Sequence, residues 1–469
     1  MDNKVLKNLL KVLGIYFIVA FLFMLIGGDQ LRYKYVTSTV PAQTGIIEEL
    51  SSDRVVKQKF IVKEETLDTI DLLMATYGRE NSGTFYLTLS DDQGNVIADH
   101  MNDVSALKDN ELYKWVIEPG IEHAKEKEYE LTITTTCQAG AAPTVYYSAS
   151  GTGTFSVDGQ EREGSLCFDY VGRTFFAFGT YYWYFVAAGA LVIIGYTAWC
   201  LIRKKQGKIT LGLSCLAVWN RYEFLIKQLV ARDFKTKYKR SVLGYLWSFL
   251  NPLLTMTVQY IVFSTIFRSG ISNFPVYLLS GIILLNFFTD AVGQGLTSIV
   301  GNASLITKVY VPKYIYPVTR VVSCSINMLI SVIPLLMVTL LTGAKITPAV
   351  LLLPFALACL LLFCIGMSLF LSTTEVFFRD TQYLWGIASL VWMYATPIFY
   401  PENIIPTQFR FIQTLNPIYH YVRFVRTILI NGCSPEPKAY LICAASAILM
   451  CVFGAIVFKK NQDKFILYV

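Results

Sequence analysis

Eight long, apolar stretches of this 469-residue chain contain no Asp, Glu, Lys or Arg: 12–28, 174–202, 241–267, 269–289, 321–344, 346–374, 381–401 and 439–458. A helix needs about 17 to 25 such residues to cross a bilayer, and lipid does not tolerate unpaired backbone, so runs of this kind leave little room for anything but transmembrane helices. The fourth is expected to extend past Asp290 to about Val300. Only 16% of residues are charged against 54% hydrophobic, and the charges gather in blocks between these runs. The reading is an α-helical polytopic membrane protein with about eight transmembrane helices.

Lys4, Lys7 and Lys11 precede the first run, but no small-x-small cleavage pattern precedes Gly27-Gly28-Asp29, so it reads as an uncleaved anchor. Basic residues beside spans favour the cytoplasm. They cluster before the first run, at Arg203-Lys204-Lys205 and Lys208 onward, around Lys308 and Lys313, at Arg379, and at Lys459-Lys460 and Lys464. Both termini are therefore expected inside a plasma membrane, with residues 30–178 extracellular. That segment is acidic and the remainder basic, and the two partly cancel to the net +7. A basic membrane part reads as anchoring to lipid headgroups, not as nucleic-acid binding. The expected divisions are an anchor at 1–29, an outer domain at 30–178, a second transmembrane helix at 179–203, a cytoplasmic linker with an interface helix at 204–241, and a membrane core at 242–469.

Within the outer segment the period changes from helical to two. Thr84–Ser90 and Tyr129–Thr136 alternate apolar and polar residues, as half-buried strands do. Asp91-Asp92-Gln93-Gly94-Asn95 reads as a hairpin turn, and further strands are expected at 57–62, 68–77, 113–118 and 144–149. An extracellular antiparallel β-sandwich, jelly-roll-like in pattern and inserted between helices 1 and 2, buries one face of each strand. Such modules often bind sugars, and Trp115, Tyr146 and Tyr147 are the rings that could stack on a pyranose; core packing is the alternative. Cys137 and Cys167 are the candidate disulfide, with Cys433 as a competitor.

Several chemistries find no support. A phosphate-cradling loop needs a glycine five residues before Gly-Lys-Ser/Thr, yet Gly207-Lys208 is followed by Ile209 and preceded at that spacing by Ile202. Three scattered histidines and no Cys-x-x-Cys pair give no metal site. Asp290 is the lone carboxylate within the runs, and a helix-contact or lumen-facing role suits a single acid better than an ion relay.

Trp219, Tyr222, Leu225, Ile226, Leu229 and Val230 share one helical face, while Arg221, Lys227, Arg232, Lys235 and Lys239 point elsewhere. Such a helix lies in the membrane interface. The abrupt change from Arg232-Asp-Phe-Lys-Thr-Lys-Tyr-Lys-Arg240 to the apolar run that follows is then a water-to-lipid boundary. Pro252 is expected to kink the next span and free a carbonyl that a neighbour must satisfy.

Arg232–Pro252 resembles the entry of the ABC-2 type permease subunits that export polysaccharides, teichoic acids and O-antigens. Asn302–Pro312, Phe378-Arg379-Asp380, Ala395–Pro401 and Leu415-Asn-Pro417 continue the likeness in order over roughly 215–469; the first 210 residues depart from it. The resemblance implies a six-helix core, a permease homodimer and two copies of a separate ABC ATPase that binds ATP and Mg, so this chain is no enzyme and holds no cofactor itself. It implies ATPase coupling through Asn302, Ser304, Leu305, Lys308, Val309 and Tyr310, and an interface helix bearing Arg232, Asp233, Lys235, Lys239 and Arg240. Conduit aromatics are expected at Trp247, Phe249, Tyr260, Phe263, Tyr394 and Tyr400. Short helices dipping into the outer leaflet are expected after Pro401, where Arg423 and Arg426 are the expected contacts to a lipid-linked phosphate. The substrate implied is a lipid-linked glycopolymer. Export of a small lipid or drug, and a membrane glycosyltransferase, are the alternatives.

Overall fold

The computed structural model describes residues 3–27, 29–37, 43–149, 154–175, 177–206, 211–238, 243–244, 246–267, 273–308, 311–344, 346–400, 408 and 410–468. Two compact units emerge, Met1–Gly28 with Tyr182–Val469, and Asp29–Tyr181. The helices are α1 (Asn3–Gly27), α2 (Asp29–Arg32), α3 (Ala177–Thr180), α4 (Tyr182–Lys205), α5 (Leu211–Tyr238), α6 (Leu246–Phe267), α7 (Phe274–Leu296), α8 (Ala303–Lys308), α9 (Ile315–Leu341), α10 (Leu353–Phe377), α11 (Thr381–Ala395), α12 (Arg410–Leu415), α13 (Pro417–Leu429), α14 (Pro437–Asn461) and α15 (Phe465–Tyr468).

In the helical unit, seven helices among the described residues are long and apolar enough to cross a membrane: α1, α4, α6, α7, α9, α10 and α14. The protein is a polytopic α-helical membrane protein. The expected span at 381–401 differs: α11 stops at Ala395 after 15 residues, about 22 Å at 1.5 Å per residue, because Pro397 cannot continue it. Helix α7 sits at the centre, its apolar residues packed with those of α9, α10 and α13 in the largest core cluster. Helices α10 and α14 pack closely at Gly366 and Gly454, where a Cβ on Gly454 would collide with the Gly366 carbonyl oxygen. Small residues of this kind let backbones meet where lipid gives no hydrophobic drive for association. At the N-terminus, the Tyr16 hydroxyl donates to the Val186 carbonyl (3.0 Å) and that of Tyr182 to Ala20 (2.7 Å), holding α1 against α4.

The other unit has thirteen strands among its described residues: β1 (Tyr33–Thr37), β2 (Gly45–Ile46), β3 (Val56–Ile61), β4 (Thr66–Ala75), β5 (Thr84–Asp91), β6 (Val96–Asp103), β7 (Glu111–Glu122), β8 (Glu128–Thr135), β9 (Thr144–Ser148), β10 (Thr154–Val157), β11 (Gln160–Glu163), β12 (Ser165–Leu166) and β13 (Phe168–Phe175). They form two antiparallel sheets, ordered β1-β13-β4-β9-β12, with β2 on β9 and β7 on β4, and β11-β10-β3-β8-β5-β6. Alternating residues from both, such as Ile70, Leu72, Leu87 and Ile133, are fully buried in one shared core. The β5–β6 hairpin forms at the expected turn: the Asp91 carboxylate accepts from the Gln93 and Asn95 amides, and Gly94 takes φ +85°.

Asp71 is out of place in this sheet. Its cross-strand neighbours are Asp169 on β13 and Lys114 on β7, and one carboxylate oxygen has no hydrogen-bond partner among the described residues. Burial pushes its pKa up, Lys114 opposes the shift and Asp169 adds to it. A carboxylate raised in the folded state opposes folding wherever both states are ionised. The penalty is full above the folded value, shrinks as pH falls through it and vanishes below the unfolded one. Asp71→Asn is therefore expected to raise the thermal midpoint of the sheet signal at pH 7. The gain should disappear as pH falls below the ordinary carboxylate range, and an equal gain at both ends of a pH series would contradict the assignment.

Candidate functional site

Among the described residues of the helical unit, a polar groove opens between long apolar helices. Asn286, Asp290 and Gln294 recur every four residues along α7, so they stack on one face. Among the residues of α7, Asn286 and Asp290 are the only two that are exposed. They open into a cavity of about 460 Å³ between α6, α7 and α9, whose other polar lining is Trp247, Ser248, Asn251, Asn327 and Ser331. A second cavity of about 500 Å³ shares Cys324 and Asn327 with the first and continues past Ser323 and Gln294 to Arg320, Arg232 and Asn302. Asp290 thus faces a polar lumen shared by three helices.

Pro252 explains part of this geometry. Lacking an N–H, it leaves the Ser248 carbonyl without its helix donor, and the Ser331 hydroxyl of α9 supplies one at 3.0 Å. The Ser248 hydroxyl in turn donates to the Asn327 side-chain oxygen (3.1 Å). The proline that frees this carbonyl also lines the groove.

At the far end of the groove α5 meets α9. The Asp233 side chain is 8% exposed and bridges Arg232 (3.0 Å) and Arg320 (3.2 Å). Lys235, also expected on the interface helix, is exposed, while Lys239 and Arg240 lie outside the described residues.

Helix α8 is short and pinned from beneath. Ile306 is 7% exposed and packs with Ile299, Tyr316, Leu369, Val376, Phe458 and Phe465, while Ser304, Leu305 and Lys308 are exposed. Asn302 donates to the Ser298 carbonyl at 2.7 Å, closing the turn that leads into α8. Val309 and Tyr310 lie outside the described residues. The same end holds the C-terminus: Lys313 donates to the Gln462 carbonyl (2.6 Å) and Arg379 to that of Tyr468 (3.4 Å). Burial lowers the Lys313 pKa, with Asp463 opposing the shift.

At the other end, Asn416 organises the break between α11 and α13. Its side-chain oxygen accepts from the Ile418 amide (3.0 Å) and the Trp392 indole (2.8 Å), and its nitrogen donates to the Thr396 hydroxyl (2.9 Å). Pro417 then occupies the first turn of α13, where no donor is missed.

Of the two arginines expected to meet a lipid phosphate, Arg426 corrects that reading. It is 5% exposed. Its guanidinium donates to the carbonyls of Pro397 (2.7 Å) and Tyr277 (3.1 Å) and lies 3.3 Å from the Tyr277 ring centroid. Fixed inside the helical unit, it presents no face to a ligand. Arg423, one turn earlier, is exposed and donates to the Tyr419 hydroxyl at 3.3 Å.

The expected conduit aromatics divide by surroundings. Trp247, Tyr260 and Tyr394 are 44%, 39% and 62% exposed, whereas Phe263 stacks on Phe399 with centroids 5.2 Å apart. Phe249 is half-buried, and the Tyr400 hydroxyl donates to the Tyr394 carbonyl (2.6 Å). In the sheet unit Trp115 is 2% exposed and stacked on His100, so it is core and not a sugar platform. Tyr147 packs on Phe155, and the Tyr146 hydroxyl donates to Asn110, leaving both half-buried. Cys137 and Cys167 carry no disulfide between them: both are buried, Cys137 just after β8 and Cys167 between β12 and β13. Cys433 carries none either.

Sequence reading overlooked Arg320, Asn327 and Ser331, which sit inside or at the margin of an uncharged run. Their signal was the spacing of polar residues along α9, at 320, 323, 327 and 331. Glu375 was overlooked too: α10 extends to Phe377 and carries this second carboxylate, 3% exposed. Among the described residues no group of His, Cys, Asp and Glu is placed to hold a metal.

Residues 224–430 match the ABC-2 type transporter family, a range running from within α5 to α13. The chain is similar to the O-antigen export system permease protein RfbA of Myxococcus xanthus, 29% identical over 247 residues that cover 52% of this chain and 95% of the relative. A protein of the same description from Klebsiella pneumoniae is 30% identical over 244 residues, 51% of this chain and 93% of the relative. The polysialic acid transport protein KpsM of Escherichia coli is 21% identical over 245 residues, 51% of this chain and 93% of the relative. The sheet unit lies outside the family match.

Proposed function

This chain belongs to the ABC-2 type transporter family, and from that membership we propose that it is the permease subunit of an ATP-driven exporter carrying a lipid-linked polysaccharide or teichoic-acid-like glycopolymer to the cell exterior. Helix α8 carries the reading: six residues between two long helices, pinned by buried Ile306, presenting exposed Ser304, Leu305 and Lys308. An exposed leucine on a rigid pedestal suits a pocket on another protein. The chain carries no phosphate-cradling loop, so on this reading ATP is hydrolysed by that partner.

The end of the helical unit bearing Lys308, Lys313, Arg379, Lys459 and Lys460 is taken as cytoplasmic by the positive-inside rule. Both termini then lie inside, and the jelly-roll-like sheet unit, about residues 30–178, lies outside. Two permease copies pair with two ATPases, each permease contributing a core at 242–469 whose broken fifth segment, α11, is completed by α12 and α13. Trp247, Tyr260 and Tyr394 line the conduit, and Arg423 is the remaining exposed cation for a lipid phosphate. Tyr146 and Tyr147 are the remaining outer-domain rings for sugar.

The test is co-purification of the tagged chain from native membranes. An ATPase subunit is expected with the wild type and at least tenfold less with Leu305→Asp, at equal membrane level of the chain. Recovery of no ATPase with the wild type would sink the exporter reading.

A further inference from the structure

Of the residues lining the groove between α6, α7 and α9, only Trp247 at its rim carries a role above, as a conduit aromatic. Helix α7 is otherwise the most deeply packed helix of the unit, and both of its exposed side chains, Asn286 and Asp290, open into this cavity. Polar groups at membrane depth are costly unless they meet water, one another or a polar ligand.

We propose that this groove is a carbohydrate subsite, built within a single protomer, that binds the hydroxyl groups of the transported glycan; the proposal rests on the export reading. A sugar hydroxyl both donates and accepts, and a carboxamide answers both needs from one plane. Asn251, Asn286 and Asn327 bring three such groups to one cavity, and Asp290 adds an acceptor for two neighbouring hydroxyls. Trp247 supplies a flat apolar face at the rim, and Pro252, Ile283, Phe287, Cys324 and Met328 complete the apolar wall. The volume of about 460 Å³ accommodates about one or two sugar rings. A cation site would gather several carboxylates, and a lipid tail would meet aliphatic walls. Neither describes this lining.

The lining also has a direction. The first cavity joins the second through Cys324 and Asn327, so hydroxyl-binding groups continue from Ser331 down to Gln294 and Asn302, beside α8. Weak, repeated contacts of this kind let a chain advance without being held at one point.

The full-length chain, expressed with its partner subunits in its native host, is tested with benzoylphenylalanine at Asn286, Asn251, Tyr394 and Leu329, the last an exposed aliphatic position on α9. After irradiation the chain is purified under denaturing conditions, oxidised with periodate and labelled with a hydrazide, which reports any vicinal diol. Signal at 286 and 251 at least fivefold above 329 is the expected result. Signal at 394 alone overturns the subsite and leaves the export reading standing; signal at none of the four overturns both. As a second measurement without a bulky probe, Asp290→Leu is expected to lower surface glycan per chain about tenfold, the worth of one or two hydrogen bonds, with Asp290→Asn within about threefold of wild type. Unchanged glycan per chain with Asp290→Leu overturns the proposal.

Discussion

Replacing Arg426 by methionine is expected to destabilise the helical unit by about 4 kcal/mol and to abolish export. The guanidinium holds the Pro397 carbonyl on the segment after α11 and the Tyr277 carbonyl on α7, and lies over the Tyr277 ring, whose own hydroxyl donates to Pro397 (3.0 Å) and Tyr400 (2.9 Å). Methionine fills similar volume but removes two charge-assisted hydrogen bonds, each worth about 1.5–3 kcal/mol, and a desolvated cation–π contact of about 2 kcal/mol. Not all of this adds, since the Pro397 carbonyl keeps the Tyr277 hydroxyl as donor and the Tyr277 carbonyl keeps that of Ser280, hence the figure of about 4 kcal/mol. Heating the detergent-solubilised chain while following tryptophan fluorescence should show a midpoint lower by on the order of 8 °C. Arg426→Lys should recover little, because an ammonium on a flexible stem cannot bridge both carbonyls and cover the ring together. A midpoint within 1 or 2 °C of wild type would show that the segment between α11 and α13 is held by other means, Asn416 being the obvious one.

That arginine also shows where sequence reading stops. Arg423 and Arg426 look alike as basic residues placed against the positive-inside expectation, and the sequence alone sends both to an outward phosphate. Three residues bring the helix round to within about 60° of the same face, and only the fold reveals that this small offset leaves Arg423 exposed while Arg426 is taken up by the Pro397 and Tyr277 carbonyls. The span expected at 381–401 failed for a related reason. Counting uncharged residues measures how long a helix could be, and it is blind to Thr396-Pro397, which ends α11 at Ala395. Strands β3, β4, β5, β7, β8 and β9 were visible because alternation persists over five or more residues, whereas β10 to β12 are two to four residues long and separated by turns at Gly159 and Gly164. The polar groove was legible in part. Asn286, Asp290 and Gln294 show the helical period openly, but Asp290 read alone looked solitary until α9 brought Asn327 and Ser331 to the same cavity.

Breaking the Asp233–Arg320 pair is expected to have the second largest effect, and the two partners should not behave alike. Asp233 is 8% exposed and held by two arginines, whereas Arg320 is 30% exposed and borders the second cavity. Removing the acid with Asp233→Ala leaves a cation that water can reach, so the cost should stay near 2 kcal/mol. Charge reversal with Arg320→Glu instead sets two carboxylates together with only Arg232 between them, and should cost about 3–5 kcal/mol. The exchange Asp233→Arg with Arg320→Glu restores opposite charges at the same distance. It is expected to recover at least half of the loss, although the new arginine beside Arg232 prevents full recovery. Because this pair joins the interface helix α5 to α9 beside the groove, export should follow the same order as stability: exchange above single reversal, Asp233→Ala between them. A double-mutant cycle on thermal midpoint and on surface glycan, run together, separates the two contributions. If the exchange restores the midpoint but not the glycan, the pair does more than hold α5 in place, and the order of charges along the groove itself matters to transport. If it restores neither, the attraction between the two side chains is not what joins these helices.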